Sequence, residues 1–169
     1  IASVLCNDPV MYIDDRWLYD QEDELPPVVE LDLATQRPEI SVIGSDVTIV
    51  ASGHASLLAR EAEKLLKCEN ISAEVIDVRV LNPFHAEEII ESVKKTKNLL
   101  VVDSGWISGG FSAEVIAKVV EQLPVDCLSN PPVRVALPDA PAPTSRVLEK
   151  AYYTSTDDVV KAVKKILNS

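Results

Sequence analysis

From Asp46 onward the sequence alternates short, continuous apolar runs with segments whose apolar residues recur at helical spacing. The runs are Val47–Ala51 (VTIVA), Ser72–Val78 (SAEVIDV), Leu99–Val102 (LLVV) and Val133–Leu137 (VRVAL). β-Branched, unbroken runs of this length are expected to be buried strands. The helical segments are His54–Lys67, His85–Thr96, Ser112–Gln122 and Thr156–Leu167. In the last of these Thr156 stands as N-cap, Asp157 and Asp158 as first-turn acids, and Lys161, Lys164 and Lys165 towards the C-terminus, where each charge complements the helix dipole. Strands alternating with helices imply βαβ units and a mainly parallel sheet. Strands without a polar face imply helices on both sides. The expected fold is therefore a three-layer α/β/α domain over residues 46–169.

Residues 1–45 have a different texture. An apolar stretch, Pro9–Ile13, reads as a strand and is followed by Asp14-Asp15-Arg16-Trp17. That tetrapeptide joins charge to an aromatic, so a binding edge and a solvated strand end are equal alternatives. The acidic run Asp20–Glu24, then Pro26-Pro27 and Pro38, is expected to be solvated linker. The first residue, Ile1, leads to the expectation of a fragment or processed product.

Charge and cysteine content narrow the function classes. With 27 acidic against 16 basic residues the formal net charge is -11. Such a surface repels phosphate backbones, so no nucleic-acid role is expected. The longest apolar runs are about seven residues, short of the ~20 that a membrane span needs, and no basic-then-apolar leader is apparent. Cys6, Cys68 and Cys127 are odd in number and far apart. Neither a disulfide framework nor a zinc cluster is indicated, and the thiols read as incidental. Cytoplasm is the default location.

In doubly wound sheets ligands sit beyond the carboxyl ends of the strands. Two segments fall there, Ser52-Gly53-His54 and Asp103–Gly110. Gly109-Gly110, just before a helix, offers backbone N–H groups to an anion, or else simply permits a tight turn and close packing. The dinucleotide fingerprint GxGxxG is absent. His54 and His85 both stand where a helix begins, and the plain expectation for each is a local hydrogen bond. No pair of carboxylates has a spacing that demands acid–base chemistry.

The order of blocks adds a resemblance. GSDVTIVASG (Gly44–Gly53), EVIDVRVLNPF (Glu74–Phe84), LLVVDSGWISGGFSAEV (Leu99–Val115) and PVRVALPDAPAPTSRVLEKAYY (Pro132–Tyr153) resemble the beta subunit of thiamine-diphosphate-dependent 2-oxoacid dehydrogenases. That group includes pyruvate, branched-chain 2-oxoacid and acetoin dehydrogenases, and the matching part is the transketolase-type C-terminal domain. IASVLCNDPVMYIDDRWLY (Ile1–Tyr19) is similar to the end of the preceding pyrimidine-binding domain, with Asp8-Pro9-Val10 where the family usually has Asn-Pro-Val and Asp14-Asp15-Arg16 where it has Glu-His-Lys or similar. The resemblance implies a remnant of that domain over 1–20, a linker over 21–45 and the C-terminal domain over 46–169.

Further expectations follow from the resemblance alone. The family's diphosphate and Mg²⁺ are held by the alpha subunit, and the aminopyrimidine meets a Glu upstream of these residues. The chain alone is thus expected to bind no thiamine diphosphate and to be inactive. Its implied role is assembly: a homodimer contact, with the alpha subunit and the acyltransferase core as further partners. The contact residues would be Gly109, Gly110 and Phe111 together with Pro138, Asp139, Pro141, Pro143 and Arg146. A structural potassium site of some relatives would map in part onto Ser3, Val4 and Asp8, with Cys6 in place of an expected Asp. A thiol is a poor ligand for so hard a cation, so no ion is expected. Two alternatives stand beside this reading: a stand-alone interaction module, and a small α/β enzyme binding a nucleotide or phosphate near His54 and Gly109.

Overall fold

The computed structural model describes residues 2–168 apart from 23, 25, 26 and 28. Five strands form one sheet: β1 (Glu39–Val42), β2 (Val47–Ala51), β3 (Ala73–Asp77), β4 (Leu99–Trp106) and β5 (Val133–Leu137). Their spatial order is β1-β3-β2-β4-β5. β3, β2, β4 and β5 are parallel, and β1 is antiparallel to β3. The helices are α1 (Ala2–Leu5), α2 (His54–Cys68), α3 (Glu87–Thr96), α4 (Phe111–Gln122), α5 (Arg146–Tyr152) and α6 (Thr156–Leu167), with a single 3₁₀ turn at Arg16–Leu18.

Alternation along the central strands divides the core in two. Val47, Ile49 and Ala51 of β2, with Leu100 and Val102 of β4, pack under Ala55, Ala59, Ala62 and Leu66 of α2 and Val159, Val163 and Ile166 of α6. Val50, Ile76, Leu99 and Val101 face the other way, onto Ile89, Ile90 and Val93 of α3 and Val115 and Val119 of α4. Every residue of β2 is buried, which is why the strand reads as VTIVA without a polar alternate. The one hydroxyl on it, Thr48, is satisfied inside, 2.7 Å from both Ser92 Oγ and Thr96 Oγ1 of α3. The three-layer expectation is therefore met.

Several boundaries differ from the sequence reading. Pro9–Ile13 forms no strand; its residues are exposed and irregular. Among the described residues no neighbouring strand takes its backbone hydrogen bonds. The sheet begins inside the stretch read as linker over 21–45, because Glu39–Val42 pairs with β3. Immediately after it, Gly44 lies so close to β3 that a Cβ there would sit 2.2 Å from the carbonyl carbon of Ala73. β4 runs on past Val102 to Trp106, with its pairing to β5 interrupted between those two residues. α5 follows the Pro-rich stretch Pro138–Pro143, where no helix was expected. The N-cap of α6 is Ser155, not Thr156: Ser155 and Asp158 form a reciprocal capping box.

Candidate functional site at the carboxyl ends of the strands

β2 is followed by α2 and pairs with β3 on one side and β4 on the other, so the chain reverses its winding between β2 and β4. That crevice is where an open α/β sheet offers a ligand site, flanked by the N-termini of α2 and α4. Neither helix has a side-chain cap from its own N-cap residue, Gly53 or Gly110. Both free ends are nevertheless filled by carboxylates of the chain itself.

At α4 the carboxylate is Asp103. Its Oδ2 accepts from Ser112 N at 2.7 Å and its Oδ1 from Gly105 N at 2.8 Å. Asp103 is buried, and the whole turn folds back around it. Gly109 has φ +71°, a backbone state that a side chain disfavours, with open space beside it. Gly110 has no room for a side chain at all. Of the two alternatives for Gly109-Gly110, the geometry is that of the tight turn.

At α2 the carboxylate arrives from far away in sequence. Asp15 Oδ2 accepts from His54 N at 3.2 Å, while its Oδ1 accepts from Trp17 N at 3.1 Å and caps the 3₁₀ turn. One side chain thus closes two helical ends. Gly53, at φ 56°, brings the backbone round to meet it. Asp14-Asp15-Arg16-Trp17, read as a binding edge or a solvated strand end, forms no strand; Asp15 serves as an internal cap, while Asp14, Arg16 and Trp17 are exposed. Asp14 is engaged as well, accepting from the Tyr19 hydroxyl.

The histidines stand apart in their partners. The His54 ring lies 5.6 Å from that of Trp17. His85 Nε2 is 2.8 Å from the carbonyl of Ala34, and its Nδ1 is 4.0 Å from Glu87. These are not the local hydrogen bonds expected: the His54 ring packs on a residue of the N-terminal arm, and His85 bonds a carbonyl 51 residues earlier in the chain. The cysteines are free, with Cys68 Sγ donating to the carbonyl of Lys64 at 3.3 Å. Among the described residues no three His, Cys, Asp or Glu side chains gather as a metal site. Ser3 and Val4 fall within α1, and Asp8 is exposed beyond its end. Of the acidic run, Asp20, Gln21 and Glu22 are exposed, and Asp23 lies outside the described residues.

Asp139 accepts from both the backbone N (3.1 Å) and the hydroxyl (2.7 Å) of Ser108, joining the Pro-rich loop to the β4–α4 turn. Pro138, Asp139, Pro141 and Arg146 are exposed and Pro143 half-buried. Phe111 differs: it is half-buried, its ring edge-on to Phe84 at 5.1 Å. Beside this loop Trp106, Val147 and Leu148 are exposed apolar residues that sequence reasoning passed over.

A diphosphate would find negative charge at both helix N-termini, so the side chains present do not fit such a group. What fold and site define is a doubly wound α/β domain whose ligand end is closed by its own carboxylates. Residues 37–159 match the family described as "Transketolase, C-terminal domain", and the chain belongs to that family. The pyruvate dehydrogenase E1 component subunit beta of Caenorhabditis elegans, a mitochondrial protein, is 36% identical over 170 residues, covering 99% of this chain and 48% of the worm protein. The corresponding subunit of Rickettsia felis is 36% identical over 166 residues, 98% of this chain and 50% of that one. The chain spans about half the length of these curated relatives. Among solved structures, a split gene transketolase described as an inactive beta4 tetramer superposes with a TM-score of 0.70 at 31% identity, over 87% of this chain and 46% of that one.

Proposed function

We propose that the chain is the C-terminal assembly domain of the beta subunit of a thiamine-dependent 2-oxoacid dehydrogenase. The whole enzyme would decarboxylate a 2-oxoacid and pass the acyl group to a lipoyl carrier; this domain would supply subunit contacts and no catalytic group. The curated relatives, pyruvate dehydrogenase subunits, favour pyruvate as the 2-oxoacid. The alpha subunit and the acyltransferase core would be its partners beyond a second beta subunit. Residues 1–20 would then belong to the preceding domain.

One observation carries this reading: directly after the expected contact residue Arg146, the apolar Val147 and Leu148 lie exposed at 78% and 57%. Neighbouring apolar side chains turned to solvent suit a surface that another body covers. The closed ligand end agrees with it.

Two measurements on the 169-residue chain test the proposal. Sedimentation is expected to give a dimer or larger species, and a clean monomer at high concentration would overturn the assembly role. Calorimetry with thiamine diphosphate and Mg²⁺ is expected to show no stoichiometric binding. Saturable micromolar heat would mean that a cofactor site exists in these residues after all.

A further inference from the structure

A line of aromatic contacts joins the N-terminal arm to the Pro-rich loop. Trp17, pinned by Asp15, lies 5.6 Å from the His54 ring and edge-on to Tyr153 at 5.7 Å. Tyr153 is in turn edge-on to Tyr152 at 5.1 Å. The Tyr152 hydroxyl accepts from Trp106 Nε1 at 2.9 Å and donates to the carbonyl of Ala140 at 2.8 Å.

The helix in the middle of this line has little else to hold it. α5 has seven residues, of which Tyr152 alone is buried. An isolated helix so short is unstable in water, so it persists through its tertiary anchors. Tyr153, directly after it, is half-buried, and the Trp17 ring is one of the two that cover it. On this geometry, removing Trp17 would take away one of the two rings against Tyr153 and leave the last turn of α5 freer to fray. The Tyr152 hydroxyl then loses its aim at both Trp106 and Ala140.

We infer that residues 14–19 act as a strap: when the arm lifts from α2, the Pro138–Pro143 loop loosens with it. The two surfaces are thereby coupled, although no residue of the arm touches the loop in the line of contacts just described. This inference stands on the aromatic line alone and is independent of the parent enzyme's chemistry.

The chain has two tryptophans, which makes the test direct. In Trp17→Leu the one remaining indole N–H resonance belongs to Trp106. Its solvent exchange, and that of the Asp139, Ala140, Ala142 and Thr144 amides, is expected to rise about fivefold, the lower end of ordinary site-to-site coupling. Tyr152→Phe supplies the reference shift for an indole without its acceptor, and the Trp17→Leu signal should move towards it. Asp15→Ala, which removes the pin but keeps every ring, should act in the same direction. The amides of β2 serve as control and should keep their protection. An unchanged Trp106 signal in both variants would overturn the coupling. So would an equal loss of protection in β2, which would mean general loosening.

Discussion

Asp103 and Gly110 meet across the β4–α4 turn with no space between them: a Cβ on Gly110 would lie 2.8 Å from Asp103 Oδ2 and 2.2 Å from the carbonyl oxygen of Trp106. The glycine is there so that the carboxylate can reach Ser112 N. Gly110→Ala is therefore expected to destabilise the chain by about 1–3 kcal/mol, the usual range for overpacking. Gly109→Ala meets nothing within 4 Å and has only its positive φ to resist it, so its cost should be smaller, about 1 kcal/mol. Urea unfolding of the two variants side by side checks the order.

Gly44 sets the approach of the β1–β2 connection to β3. Because the atoms that a Cβ would strike belong to backbone, they cannot rotate aside. Gly44→Ala should shift the β1 pairing and cost about 2 kcal/mol or more. Loss of amide protection at Ser41 and Val42 ahead of any change in β4 would identify the site of damage.

Glu74 gives the fold a dependence on acid. Burial by itself raises its pKa, but Lys95, the Ser92 hydroxyl and Gly44 N hydrogen-bond the carboxylate and together hold the pKa below the ordinary 4.5. A carboxyl whose folded pKa lies below its unfolded value stabilises the fold above the unfolded pKa. That contribution is lost as pH falls from about 4.5 through the lower folded value. The unfolding midpoint should drop over that window, and Glu74→Gln should flatten part of the drop. Lys95→Met, measured at neutral pH, leaves the buried carboxylate without its cation. About 1–3 kcal/mol is expected, towards the low end because the Lys95 side chain is half exposed.

At α6 the capping box predicts a smaller, local effect. Ser155→Ala removes the acceptor for Asp158 N and should cost about 1 kcal/mol. Thr156→Ala leaves the box intact and should cost less, which thermal unfolding of the pair would show.

The elements legible in the sequence are those with an unbroken apolar run or a helical apolar stripe, whether fully buried like β2 or half-buried like most of β5. VTIVA and VRVAL match their strands to the residue, and the Val159–Val163–Ile166 stripe marks α6. β1 escaped because Glu39, Ile40 and Ser41 are exposed, so an edge strand of four residues leaves no apolar run to read. α5 escaped because one buried tyrosine makes no periodicity. The site divides in the same way. Asp103 bonding to Gly105, two residues on, is a local Asx pattern that the sequence could have yielded. Asp15 also shows its local half, the bond to Trp17 N. Its other half, His54 N, is 39 residues away, and only the fold brings it near.

The reversed direction of β1 decides which end of the sheet the preceding chain approaches. Glu39, where β1 starts, pairs with Asp77, where β3 ends. The chain just before β1 therefore lies at the carboxyl ends of the strands, the same rim at which Asp15 meets His54 N. The face on which this architecture customarily receives small molecules is here the face on which the protein receives its own side chain.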